Sequence, residues 1–181
     1  MNAKRTRSLA AIIVGASLLA GVGTASAAAP KEVRMPGTYT TAYDWYDNNP
    51  PGSAEVSHPV VHRNAGGTGT YADPITVAVN YGSGRQLQFK AGTRFYVPNV
   101  RAYLIVEDTL GDVARGRVHL DMWAGGRTSS RDSAEQCMSH VTGNVLVIRN
   151  PAKNYVVVKG SLSSRNQCRR LYGNTLHRVH S

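Results

Sequence analysis

Apolar residues in this chain fall into short runs separated by turn formers. Pro36-Gly37, Pro50-Pro51-Gly52, Gly66-Gly67, Gly82-Ser83-Gly84, Gly125-Gly126 and Asn150-Pro151 punctuate it. Glycine and proline at such intervals end regular structure, the one by admitting φ > 0 and the other by withholding an N–H. Between them lie runs rich in Val, Ile, Tyr, Phe and Thr, namely Thr38–Tyr46, Ile75–Val79, Arg94–Val97, Tyr103–Glu107, Arg117–Trp123, Val145–Ile148 and Tyr155–Lys159. Short strands at this frequency predict a mainly β barrel or sandwich. One helix is predicted, N-capped by Ser130, Asp132 or Ser133 and running through Ala134-Glu135-Gln136-Cys137-Met138.

The alternation within Arg117–Trp123 separates two faces, because strand side chains repeat with period two. Val118, Leu120 and Met122 share a core face, while His119, Asp121 and Trp123 share the other. A carboxylate between an imidazole and an indole is unusual on a merely solvated face. Upstream, the apolar Leu104-Ile105-Val106 ends in Glu107-Asp108 and a glycine-containing turn, which places Asp108 at the rim of a barrel. Nearer the N-terminus, Tyr39, Tyr43, Asp44, Trp45, Tyr46 and Asp47 concentrate rings and acids ahead of the Pro-Pro turn. Flat rings beside carboxylates suit carbohydrate: rings stack on sugar C–H faces, and acids bind hydroxyls or protonate a glycosidic oxygen.

The chain has 181 residues and a formal net charge of +10. Its first 27 residues read as a signal peptide: Lys4, Arg5 and Arg7 precede an apolar stretch from Leu9 to Val22, and Ala25-Ser26-Ala27 supplies a cleavage site. Export and a single extracellular domain over residues 28–181 are therefore expected. The remaining excess charge is confined to the end of the chain, since Gln136–Ser181 carries seven basic residues and no acidic one. In an oxidising compartment the lone pair Cys137 and Cys168 most simply forms one disulfide.

Three ordered segments carry a family resemblance: Ala91-Gly92-Thr93-Arg94-Phe95-Tyr96-Val97-Pro98, then Ile105-Val106-Glu107-Asp108-Thr109, then Gly116-Arg117-Val118-His119-Leu120-Asp121-Met122-Trp123. Together they resemble the three-aspartate domain of the double-psi β-barrel superfamily, alongside rare lipoprotein A, barwin-like proteins, expansins and family 45 glycoside hydrolases. The resemblance covers roughly Thr38 to Gly126 and implies a six-stranded double-psi barrel, with a short helix and a C-terminal β extension added by this chain. It matches Asp108 to the second family aspartate and Asp121 to the third, the position of the general acid in the hydrolases. At the first family aspartate the chain departs, because Val77-Ala78-Val79 is followed by Asn80. An amide cannot act as a carboxylate base, so a two-carboxylate mechanism would need Asp108, Asp44 or Asp47 instead.

Two functions of different class follow. In the first, the protein binds or modifies cell-wall glycan, with Asp121 and Asp108 as catalytic carboxylates and Tyr43, Trp45, Tyr46, Asp47, His119 and Trp123 against the substrate. If it is an enzyme, it is then a glycan hydrolase or a lytic transglycosylase. In the second, it inhibits papain-like cysteine proteases, as some proteins on this fold do, through the turns Asp47–Ser53 and Gly82–Arg85. A monomer without cofactor is expected, and no membrane partner once the signal peptide is gone. Arg165, Arg169, Arg170 and Arg178 are read as a solvated face rather than a nucleic-acid site. No metal is expected: Pro59 breaks the helix that would align His58 with His62, and His177 and His180 lack a third ligand.

Overall fold

A computed structural model of the chain describes residues 30–82, 86–110 and 117–179. The expected signal peptide and most of the Gly82–Arg85 turn lie outside the described residues. Runs of β-branched and aromatic residues form the strands β1 (Val33–Tyr43), β2 (Ile75–Val79), β3 (Arg94–Val97), β4 (Ala102–Thr109), β5 (His119–Trp123) and β6 (Gly143–Arg149). These close into one barrel in the order β1-β5-β2-β4-β3-β6. The helix α1 spans Arg131–Val141, and β7 (Ser163–Ser164) pairs with β8 (Gln167–Cys168) in the C-terminal extension. A mainly β fold with a closed six-stranded barrel, one short helix and extra C-terminal strands is thus what the sequence forms. No described helix is long and apolar enough to cross a membrane.

The pairing has an internal symmetry. β1 runs parallel to β5 and β2 parallel to β4, while β1·β6, β2·β5, β3·β4 and β3·β6 are antiparallel. Exchanging β1, β2 and β3 with β4, β5 and β6 leaves this set unchanged. Parallel neighbours cannot be joined by a tight hairpin, so long connections must pass over the barrel ends, and the loops that line the site come from them.

Inside, Ile75, Val77, Val79, Phe95, Leu104, Val106, Leu120, Met122 and Val147 form the core. A second apolar cluster lies outside the barrel wall, where Tyr96, Tyr103, Leu146 and Ile148 pack under Tyr155. The expected strand Tyr155–Lys159 does not form; apart from one bridge between Tyr155 and Arg178, this segment is an irregular strap. Its backbone groups are satisfied individually. The Tyr103 hydroxyl accepts from Tyr155 N at 2.8 Å, Tyr96 donates to Val156 O at 2.7 Å, and Val158 N donates to Arg101 O. Arg169 completes the strap rather than lying on a solvated face: it is 7% exposed and donates to Val100 O, Val158 O and Gly160 O. Burial pulls its guanidinium down to about 10, still protonated at neutral pH.

The helix is capped by Ser130, whose Oγ accepts from Ser133 N. Ala134, Cys137 and Val141 are its buried positions. Cys137 is joined to Cys168 by the expected disulfide, so one covalent bond fastens both helix and C-terminal segment.

Candidate functional site

The site is set by one register row across four adjacent strands. Thr41 of β1 pairs with Asp121 of β5, Asp121 with Ala78 of β2, and Ala78 with Asp108 of β4. Two carboxylates therefore flank a methyl group, about two strand spacings or roughly 10 Å apart at their Cα atoms. A β-bulge makes this possible. Val77 pairs with Val106, but the next residue, Ala78, pairs with Asp108, so Glu107 is the extra residue of β4. Without it, Asp108 would take the opposite face of the strand.

Asp108 and Asp121 line one open groove of about 680 Å³ together with Tyr43, Asp47, Ser57 and Ala78. Their surroundings differ. Asp108 is 7% exposed and accepts four hydrogen bonds, from Tyr43 OH at 3.0 Å, Ser57 N at 3.1 Å, Ser57 Oγ at 2.8 Å and Thr109 N at 2.9 Å. Burial, followed by the charge of Asp108, pushes the Tyr43 phenol well above its usual value, which keeps it protonated as a donor.

Asp121 accepts one short hydrogen bond, from Thr41 Oγ1 to its Oδ1. Burial pushes its carboxyl up to about 7; the Thr41 bond opposes the rise, and the charges of Asp47 and Asp108 add to it. A carboxyl group near 7 can give and take a proton at neutral pH. Thr41 Oγ1 also lies 2.7 Å from His119 Nε2. Burial, then Arg117, lowers the His119 pKa, so the ring is neutral at neutral pH. Since Thr41 spends its only proton on Asp121, His119 must carry hydrogen on Nε2 and donate to Thr41. His119 is packed in turn against Tyr39, with ring centroids 4.9 Å apart.

The other expected substrate residues divide. Trp45 and Trp123 line a neighbouring cleft, with Arg127, Ser161 and Ser163, that touches the carboxylate groove at Glu55. Arg127 stands 5.0 Å over the Trp45 ring. Tyr46 donates to Ser129 O at 2.7 Å and so ties this loop to the helix entrance. Asp44 does not replace the missing carboxylate: it is fully buried, away from the groove lining, with Oδ1 accepting from Tyr46 N. Its Oδ2 faces Gly126, where a side-chain Cβ would fall 2.6 Å away at a φ of +82°. Asn80 is buried and donates to Arg117 O at 3.3 Å, a role in holding the approach to β5. Among the described residues no three His, Cys, Asp or Glu side chains group as a metal site requires.

Sequence patterns did not indicate one polar cluster beside the site. The fully buried Glu107 accepts from the backbone N–H groups of Val61 and His62 at 2.6 and 2.8 Å and from Thr76 Oγ1 at 2.9 Å. His62 bridges it to Asp73, Nδ1 to Glu107 and Nε2 to Asp73, both at 2.8 Å. Burial alone would lower the His62 pKa, but the two carboxylates outweigh it and the net direction is up. A sequence separation of 45 between His62 and Glu107 hides this pair from any local reading. Thr41, by contrast, was accessible to period two, lying between Tyr39 and Tyr43 on one strand face.

Residues 35–169 match the family described as the DDB_G0273701 N-terminal domain. An uncharacterized protein of Dictyostelium discoideum, DDB_G0273701/DDB_G0273221, is 33% identical over 122 residues, which cover 65% of this chain and 52% of that protein. The chain thus spans about half the length of the curated relative it matches. No solved structure matches it. The family match covers most of the sequence, and the chain belongs to the DDB_G0273701 N-terminal domain family.

Proposed function

We propose that this chain is an exported, glycan-binding and glycan-cleaving protein of double-psi barrel type, in which Asp121 moves the proton. One observation carries the reading: a carboxyl group brought to about 7 stands in the wall of an open groove beside a carboxylate already saturated with donors. The groove lies within the roughly 300–1,000 Å³ usual for ligand clefts. Protonated Asp121 gives its proton to the glycosidic oxygen as the C–O bond breaks. The resulting carboxylate then takes a proton from the incoming hydroxyl, either water or a hydroxyl of the same sugar chain. Asp108, held by four donors, orients substrate through its charge and through Tyr43. Thr41 and His119 fix Asp121, and the Trp45–Trp123 cleft extends the binding surface past Glu55. The Ala25-Ser26-Ala27 cleavage site and the Cys137–Cys168 disulfide support export.

The test is incubation with peptidoglycan and with cellulose, scoring both retention and soluble fragments. Asp121→Asn is expected to keep retention and abolish release. Wild-type protein that neither binds nor releases fragments overturns the proposal.

The protease-inhibitor reading has one observation in its favour. Pro50, Pro51 and Gly52 are exposed on a turn held from beneath by Asn48, which donates to Ser53 O at 3.3 Å and Glu55 O at 3.1 Å. Full papain activity at a large molar excess of the protein removes it.

A further inference from the structure

The C-terminal strap builds a cationic face that the groove does not use. Tyr172 N and Gly173 N donate to Asn99 O and Oδ1 at 2.8 and 2.9 Å, which seats the strap on the turn before β4. The buried Arg169 fastens it from below. Above, the Arg101 guanidinium lies 4.0 Å and that of Arg170 5.6 Å from the centroid of the same Tyr172 ring. Lys159, exposed, follows Val158, whose N–H bonds Arg101 O. Among the described residues none of these three cations forms an ion pair, the pairs being His62–Asp73, His62–Glu107, Arg131–Glu135 and Arg178–Glu32. No acidic residue follows Glu135 in the sequence.

Two guanidiniums 4.0 and 5.6 Å from one ring centroid, neither of them in an ion pair among the described residues, concentrate positive charge that an anion would offset. The planar fork of arginine matches a carboxylate or sulfate through paired hydrogen bonds, and its charge persists at any physiological pH. Arg101 occupies one face of Tyr172, and that face is closed to a stacking nucleobase. Arg101 precedes β4 and Asp108 lies near its end, so the face is roughly 20 Å along the strand from the groove.

We propose that Arg101, Lys159, Arg170 and Tyr172 form a second binding surface, for an acidic polysaccharide carrying carboxylate or sulfate groups along its length. It tethers the protein at the end of the barrel opposite the groove and does not depend on what the groove does.

The experiment measures binding of the full chain to polygalacturonate and to heparin over a range of NaCl concentrations; the two probes separate carboxylate from sulfate recognition. Arg101→Ala/Arg170→Ala is expected to bind about tenfold more weakly, with the slope of log affinity against log salt reduced by roughly one to two. Arg170→Glu alone, at an exposed position, is expected to lose binding in the same direction. Arg34→Ala/Arg63→Ala removes equal charge from other exposed sites and is expected to retain most of the affinity. Equal losses in both double variants, no binding of either polysaccharide by wild type, or equally tight binding of single-stranded DNA would each overturn the proposal.

Discussion

Asp121→Asn should stabilise the protein, and only above a definite pH. In the folded chain the carboxyl titrates near 7 instead of near 3.8, chiefly because burial penalises its charge. Between those values the folded state holds a proton that the unfolded state has released, so stability falls as pH rises through this window and the loss is complete above about 7. The gap corresponds to roughly 4 kcal/mol. Asp121 is open to groove water on one side, so roughly 2–4 kcal/mol is the expected range. Asparagine cannot ionise but still accepts the Thr41 hydrogen bond, and so removes the cost without emptying the site. Urea unfolding followed by the fluorescence of Trp45 and Trp123, for both proteins at pH 4.5, 6 and 8, reads the difference directly. The variant should exceed wild type at pH 8, and the difference should shrink to about a quarter of that at pH 4.5, just above the unfolded value of 3.8. Thr41→Val supplies the reverse arm: deleting the hydrogen bond that holds the pKa down should move the wild-type transition to higher pH. A difference independent of pH, or a variant less stable at pH 8, would refute the account of Asp121 as a carboxyl made costly by burial.

The remaining predictions concern the frame. His62→Gln should destabilise by about 1–3 kcal/mol at pH 5.5, because the raised pKa makes the imidazolium's contribution complete below 6.5 and lost as pH rises through the folded value. Melts at pH 5.5 and 8.5 check this, and an equal loss at both contradicts the charged bridge. Cys137→Ser/Cys168→Ser, which opens a loop of 31 residues, should cost roughly 3–4 kcal/mol on the chain-entropy argument. A wild-type melting temperature unmoved by reductant, under conditions that expose both thiols to labelling, would count against it.

How far the sequence could be read depended on whether neighbouring residues satisfied one another. β2 and β3 match the expected runs in full, and β5 matches from His119 onward, because period and composition act within a few residues. β1 begins earlier than expected. Pro36-Gly37 reads as a break, yet the strand absorbs it as a register shift between Met35 and Thr38, with Gly37 at a φ of +65°. The strap failed for the opposite reason: Tyr155–Lys159 has strand composition, but distant tyrosine hydroxyls and Arg169 take the hydrogen bonds that a partner strand would have made.

In the site, Asp121 was legible as an acid on the strand face away from the core and Asp108 as an acid at the barrel rim, whereas their alignment across Ala78 rests on the bulge at Glu107, which no local pattern announces. The barrel's symmetry sharpens what that alignment means. Exchanging the two halves of the strand set maps the pair Thr41–Asp121 onto Asp108–Ala78, so the row is a palindrome of positions filled unequally. Asp121 and Ala78 hold equivalent central places, and Thr41 and Asp108 equivalent outer ones. A carboxylate at both central places would set two like charges directly opposite, where cross-strand neighbours repel. Alanine there leaves Asp121 facing open space, with its single hydrogen bond coming from the outer place on its own side. The asymmetry of side chains on a symmetric backbone is therefore what leaves one carboxyl with a single side-chain donor and surrounds the other with four.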